Sequence, residues 1–164
     1  MGTQLSQGIT DLKGSASTPC KRSVCTLVGT DRLWQPRPRK SMSIRVLVVD
    51  DHEAFRHAAR TVVSRSPCFE LVGEAASGEE SVDEARRLQP DLVLMDVRLP
   101  GMDGVEASRL ITIENRQTLV VLISTVPADE LGLRLASCGA AGFIPKEQFG
   151  PRSLAAAWAA AARD

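Results

Sequence analysis

The run Ile44-Arg45-Val46-Leu47-Val48-Val49-Asp50-Asp51-His52 decides how the chain is read. Five of its first six residues are apolar, too continuous for a strand with one wet face. Such a strand is covered on both sides, as in a parallel sheet. It then ends abruptly in two acids. Downstream, four more short strand-like runs follow: Phe69–Ala75, Leu92–Met95, Leu119–Ile123 and Ala141–Ile144. Between them apolar residues recur at helical spacing. The stripes are Phe55, Ala58, Ala59, Val62 and Val63; Val82, Ala85 and Leu88, ending before Pro90; and Val105, Ser108 and Ile111. A fourth is Leu131, Leu135 and Cys138 before Gly139, and a fifth is Leu154, Trp158 and Ala161 after Gly150-Pro151. Gly139 suits a helix stop and Pro151 a first helical turn. Five alternating strand–helix units predict an α/β fold, a doubly wound five-stranded parallel sheet flanked by five helices.

Upstream the sequence changes character. Residues 1–41 lack periodicity, are rich in Ser, Thr, Gly, Pro and Gln, and close on Pro36-Arg37-Pro38-Arg39-Lys40. Alternating proline and basic residues favour extended, solvated backbone, and so polar a segment buries too little apolar surface to offset its ordering entropy. The expected organisation is a disordered basic extension, 1–41, and one domain, 42–164. Met42 offers an alternative start, which would make the extension upstream sequence. The net charge of zero hides the same division: residues 1–43 sum to +5 and residues 44–164 to −5. The basic arm could touch nucleic acid; a passive tail is the competing reading.

Composition narrows the class. Hydrophobic residues make up 43% and charged residues 24% of the 164, as in soluble globular domains, which excludes wholesale disorder, collagen and a strongly basic nucleic-acid binder. Cys20, Cys25, Cys68 and Cys138 form no C-x-x-C, so neither a zinc site nor a disulfide framework is expected. Cys68 and Cys138 are read as free thiols and small core or near-core fillers. No run approaches about 18 apolar residues and no apolar core follows a basic start. A soluble, cytoplasmic protein with no membrane contact is expected.

In a doubly wound sheet the ligand lies beyond the carboxyl ends of the strands. Strand one ends in Asp50-Asp51, strand three in Asp96, strand four in Ser124-Thr125 and strand five in Lys146. Converging carboxylates repel unless a cation joins them. Hard oxygen ligands with open positions suit Mg²⁺. One carboxylate can then act as a nucleophile and form an aspartyl phosphate, with the ion and a lysine supplying positioned charge and a hydroxyl bonding a phosphoryl oxygen. Lysine usage points the same way. From Ile44 onward there are twelve arginines and a single lysine, Lys146. A compact ammonium suits a tight phosphoryl site better than a planar guanidinium.

These residues resemble the receiver domain of bacterial two-component response regulators. The likeness covers about residues 43–163. It rests on Val46-Leu47-Val48-Val49-Asp50-Asp51-His52, Asp91-Leu92-Val93-Leu94-Met95-Asp96, Leu99-Pro100-Gly101-Met102-Asp103-Gly104 and Gly142-Phe143-Ile144-Pro145-Lys146. The resemblance implies that Asp96 is the phosphoacceptor. It implies that Mg²⁺ is held by Asp51 directly, by Asp50 through water, by Asp96 and by the backbone carbonyl of Arg98. Ser124 matches the switch hydroxyl, 22 residues before Lys146, and Thr125 is the lesser candidate. Lys146 would contact the phosphoryl group, and Phe143 matches the switch aromatic, with core filling as its rival reading. His52 and His57 are read as surface residues, and Trp158 as helix packing.

The partner implied is a sensor histidine kinase or phosphotransfer protein, with an unidentified downstream protein as target. Homodimerisation through the face of helices four and five is left open. The flavour is that of receivers joined to a helix-turn-helix, but the chain ends after helix five, so a stand-alone switch without direct DNA binding is expected. A truncated DNA-binding regulator is the alternative. A Mg²⁺-dependent phosphohydrolase with an Asp nucleophile is a weaker rival, because Asp96-Val97-Arg98 lacks the second acid of an Asp-x-Asp motif and no cap insertion is present. A separate turnover enzyme is therefore not expected. One departure from the family is that Pro145 precedes the lysine and Glu147 follows it.

Overall fold

The computed structural model describes residues 43–127, 130, 132 and 138–162. The chain divides into two units, Met1–Arg37 and Pro38–Asp164, and all the described residues belong to the second. The N-terminal extension and the body of the predicted fourth helix, with Leu131 and Leu135, lie outside them.

The elements run β1 (Ile44–Val49), α1 (Glu53–Ser64), β2 (Phe69–Ala75), α2 (Gly78–Leu88), β3 (Leu92–Asp96), α3 (Gly104–Glu114), β4 (Leu119–Ser124) and β5 (Gly142–Pro145). A 3₁₀ turn (Lys146–Gln148) and α4 (Pro151–Ala161) follow. All pairings are parallel, in the order β2-β1-β3-β4-β5. The expected doubly wound sheet is therefore present, and α4 is the fifth helix of the sequence reading.

The continuous apolar runs have a simple cause. Alternate residues of a strand face opposite sides of the sheet. Leu47, Val49, Val93, Met95, Val120 and Leu122 pack on one side with Val82, Ala85, Val105 and Ile111 of α2 and α3. Val46, Val48, Leu92, Leu94, Val121 and Ile123 pack on the other with Ala59, Val63 and Leu154 of α1 and α4. Both faces of the three central strands are thus dry, whereas edge strand β2 is mostly half-buried.

Two helix starts follow side-chain caps. Ser77 accepts the Glu80 N–H ahead of α2, and Asp103 accepts the Glu106 N–H ahead of α3; each satisfies a donor the helix leaves free. Gln89, left-handed at φ 49°, closes α2. Some expectations shift. β3 and β4 extend one residue further than predicted, to Asp96 and Ser124. Ala58 is exposed, because α1 buries a narrower stripe of Ala59 and Val63. Cys68 is exposed, not core, because it sits in the α1–β2 turn at φ 72°. Cys138 is buried, as expected.

Candidate functional site

The carboxyl ends of β1 and β3 and the residue after β5 bring polar side chains together at one edge of the sheet. Asp50 follows Val49 and is wholly buried. Its Oδ1 accepts the His52 N–H at 2.9 Å, and its carbonyl accepts Arg56 Nη1–H at 2.7 Å. Asp51 is exposed, with His52 Nδ1 2.7 Å from its Oδ1. Asp96 is the last residue of β3 and is 4% exposed. Its Oδ2 accepts Lys146 Nζ–H at 2.8 Å, and its Oδ1 accepts the Arg98 N–H at 3.3 Å. Lys146 Nζ also lies 2.6 Å from Asp50 Oδ2, near enough to neutralise it. That buried oxygen has a charge partner and no directed donor.

Burial sets the electrostatics. Loss of water pushes the Asp96 carboxyl up; the Lys146 ammonium pulls it part of the way back, Asp50 pushes it up again, and the net shift is upward. Burial pushes Lys146 down, but its contacts with Asp50 and Asp96 outweigh that and leave it above the usual lysine value. Asp50 and Asp96 share one ammonium, and the Asp51 carboxylate stands close by, so the three carboxylates outnumber the ammonium.

Donor chemistry makes this a candidate cation site. Among the described residues, ligand atoms of Asp50, Asp51, Asp96 and His52 all lie within 4.8 Å of one another. The carboxylate oxygens are hard donors, and Asp50 Oδ2 still lacks a directed partner. Such a set fits a small divalent cation that keeps part of its water shell.

The match to known sequences agrees with this arrangement. Residues 46–159 match the model of the response regulator receiver domain. The chain belongs to that family.

The receiver is 43% identical over 103 residues to "Response regulator GacA" of Pseudomonas viridiflava, a match covering 63% of this chain and 48% of that protein. It is 39% identical over 107 residues to a protein-glutamate methylesterase/protein-glutamine glutaminase of Alkalilimnicola ehrlichii, covering 64% of this chain but 27% of that enzyme. The chain thus spans at most about half the length of these relatives. Among solved structures it is similar to the response regulator domain of Thermotoga maritima CheB, with TM-score 0.67 and 31% identity, covering 74% of this chain and 98% of that one. It is also similar to the receiver domain of a putative NarL from Mycobacterium tuberculosis, with TM-score 0.64 and 32% identity, covering 71% and 97%.

The remaining sequence candidates of the receiver sit on β4 and β5. Ser124 ends β4, is buried, and accepts the Val126 N–H at 2.9 Å. The β3–β4 register pairs Asp96 with Ile123, so Ser124 stands one residue further along the adjacent strand. Phe143 pairs with Leu122 and is half-buried against the α2–α3 side of the core. His57 is exposed. Trp158 packs edge-on against Phe69, with centroids 6.5 Å apart. No peptide bond among the described residues is cis.

Three neighbours of the receiver site were not singled out by the sequence. A Cβ on Gly104 would lie 1.8 Å from the Asp96 carbonyl oxygen, so only glycine lets α3 start so close to β3. Arg56 holds the Asp50 carbonyl. Phe55 places its ring 4.7 Å from Lys146 Nζ. The only signal for Gly104 was its place at the end of Leu99–Gly104; Phe55 had only its place in the first helical stripe, and Arg56 had none.

Proposed function

We propose that the chain is a phosphoacceptor switch that takes a phosphoryl group onto Asp96 from a sensor histidine kinase or phosphotransfer protein. A carboxylate oxygen of Asp96 attacks the phosphorus of a phosphohistidine. The P–N bond breaks, its electron pair leaves with the imidazole, and an acyl phosphate forms. The observation that carries this reading is the buried Asp96 carboxylate, 2.8 Å from Lys146 Nζ and clustered with Asp50 and Asp51.

Mg²⁺ would be held by Asp50, Asp51, Asp96 and the backbone carbonyl of Arg98. Bound there, the ion supplies positive charge against the carboxylates and the incoming phosphoryl oxygens. Lys146 would follow the negative charge from the Asp96 carboxylate to the phosphoryl group. The Ser124 hydroxyl would donate to a phosphoryl oxygen, and Phe143 would repack in step with Ser124. This is a shift between two populated states. Output would be a protein contact on the face of the predicted fourth helix, β5 and α4. The domain is residues 42–164, residues 1–41 are an extension, and the protein works in the cytoplasm with no turnover substrate of its own. Among the described residues no helix is long and apolar enough to cross a membrane.

A second reading, the same switch acting as the regulatory part of a longer regulator, is favoured by the match to only 48% of the length of GacA; the DNA-binding alternative is one form of it. Intact mass of the natural protein separates the two, and also reads whether translation starts at Met1 or Met42. The chemistry is tested by incubation with a small phosphodonor and Mg²⁺. An acid-stable, base-labile adduct of about 80 Da, the mass of one phosphoryl group, is expected. Its persistence in Asp96→Asn sinks the assignment.

A further inference from the structure

Phe55 reads as part of the apolar stripe of α1, yet its ring faces the charged site. Its centroid lies 4.7 Å from Lys146 Nζ, the same ammonium that stands 2.6 Å from Asp50 Oδ2 and 2.8 Å from Asp96 Oδ2. Phe149, at the end of the 3₁₀ turn that Lys146 opens, packs on Phe55 with centroids 5.6 Å apart and rings tilted by 41°. The Lys146 side chain is only 14% exposed. Its charged end is thus enclosed by two carboxylates and one aromatic face.

We propose that Phe55 is a positioning residue for phosphoryl transfer: its ring keeps the Lys146 ammonium at the site while that ammonium's anionic partners change. The inference rests on the reading of Asp96 as acceptor. An ammonium has three N–H donors, and an aromatic face attracts it through the ring quadrupole without occupying an acceptor for any of them. The two anionic anchors do not survive the reaction unchanged. Asp96 becomes an acyl phosphate, so its negative charge passes to the phosphoryl oxygens. Asp50 would share its charge with a divalent cation. Phe55 alone among the three keeps the same charge distribution throughout. It also holds its place, because α1 is anchored to the core by Ala59 and Val63 and the ring is backed by Phe149. Leucine at this position would fill much of the same space and offer the cation no negative face.

The test separates attraction from space filling. In the full chain, Phe55 is replaced by mono-, di- and trifluorinated phenylalanine, which nearly keep its shape while draining the ring face of negative potential. Phe55→Trp and Phe55→Leu bracket the series. The initial rate of adduct formation at Asp96 is measured with acetyl phosphate at saturating Mg²⁺, beside the melting temperature of each variant. The rate is expected to fall stepwise with fluorination, to reach about two- to thirtyfold below wild type in Phe55→Leu, and to be kept in Phe55→Trp. Melting temperatures of the fluorinated forms should stay together. Equal rates across the fluorinated series overturn the proposal even if Phe55→Leu is slow, since that pattern belongs to packing. If Phe55→Leu fails to fold, the fluorinated series decides alone. Absence of any adduct in the wild type, or its survival in Asp96→Asn, instead overturns the Asp96 reading, and this inference falls with it.

Discussion

Asp96 carries its charge where burial and the neighbouring Asp50 oppose it, and Lys146 compensates only in part. The sign of the pH effect follows. Below the ordinary carboxylate value both folded and unfolded chains hold the proton. Between that value and the higher folded one, only the folded chain does. The metal-free protein should therefore lose stability through Asp96 as pH rises from about 4 through the folded value. Asp96→Asn removes this slope and should raise the melting temperature near neutral pH by a few degrees. Thermal melts of both proteins in chelator from about pH 4 to 7 check it; parallel curves would contradict it. The same residue would then be costly for stability and required for the proposed chemistry. At Lys146, arginine keeps the charge but not the compact shape, in a space shared by Asp50, Asp96 and Phe55. Lys146→Arg is expected to slow adduct formation about tenfold or more, read by intact mass over time. A wild-type rate would remove the compact-ammonium argument.

At the scale of elements, β3 and α3 approach each other closely. Gly104 N–H donates to the Val97 carbonyl at 3.0 Å, and a Cβ there would meet Asp96 backbone, which cannot swing aside as a side chain would. Gly104→Ala should cost about 1–3 kcal/mol in urea unfolding and should also lower the phosphorylation rate, because any relief moves Asp96. An unchanged midpoint would show that α3 shifts freely. The adjacent loop is fastened separately: Glu79 accepts the Met102 N–H at 2.9 Å, and Gly101 takes a left-handed φ of 73° beside it. Strand identities and four helices were legible in the sequence because a parallel sheet makes long apolar runs and its helices make narrow stripes. Gly104, Arg56 and Phe55 were not legible as parts of the site, since their roles depend on contacts across elements that periodicity does not carry.

The whole chain joins an acidic part, residues 44–164 summing to −5, to a basic N-terminal stretch. The acidic edge concentrates part of that charge, so a divalent cation should stabilise the folded state specifically. At a hundredfold excess over its dissociation constant, linkage amounts to about 2.7 kcal/mol. Mg²⁺ is expected to raise the melting temperature, chelator to reverse it, and Asp51→Asn to abolish most of the gain. An equal gain in Asp51→Asn would place the effect elsewhere. Sequence alone determined the five-unit parallel α/β order, the acids at the strand ends and the single lysine of the folded part. It could do so because burial on two faces and the reversal at each strand end leave local marks. Tertiary structure alone decided that Lys146 bridges Asp50 and Asp96, that Phe55 lies over it, and that glycine is required at 104. Those are distances between segments up to about a hundred residues apart, fixed by strand order and helix packing, which no local pattern records.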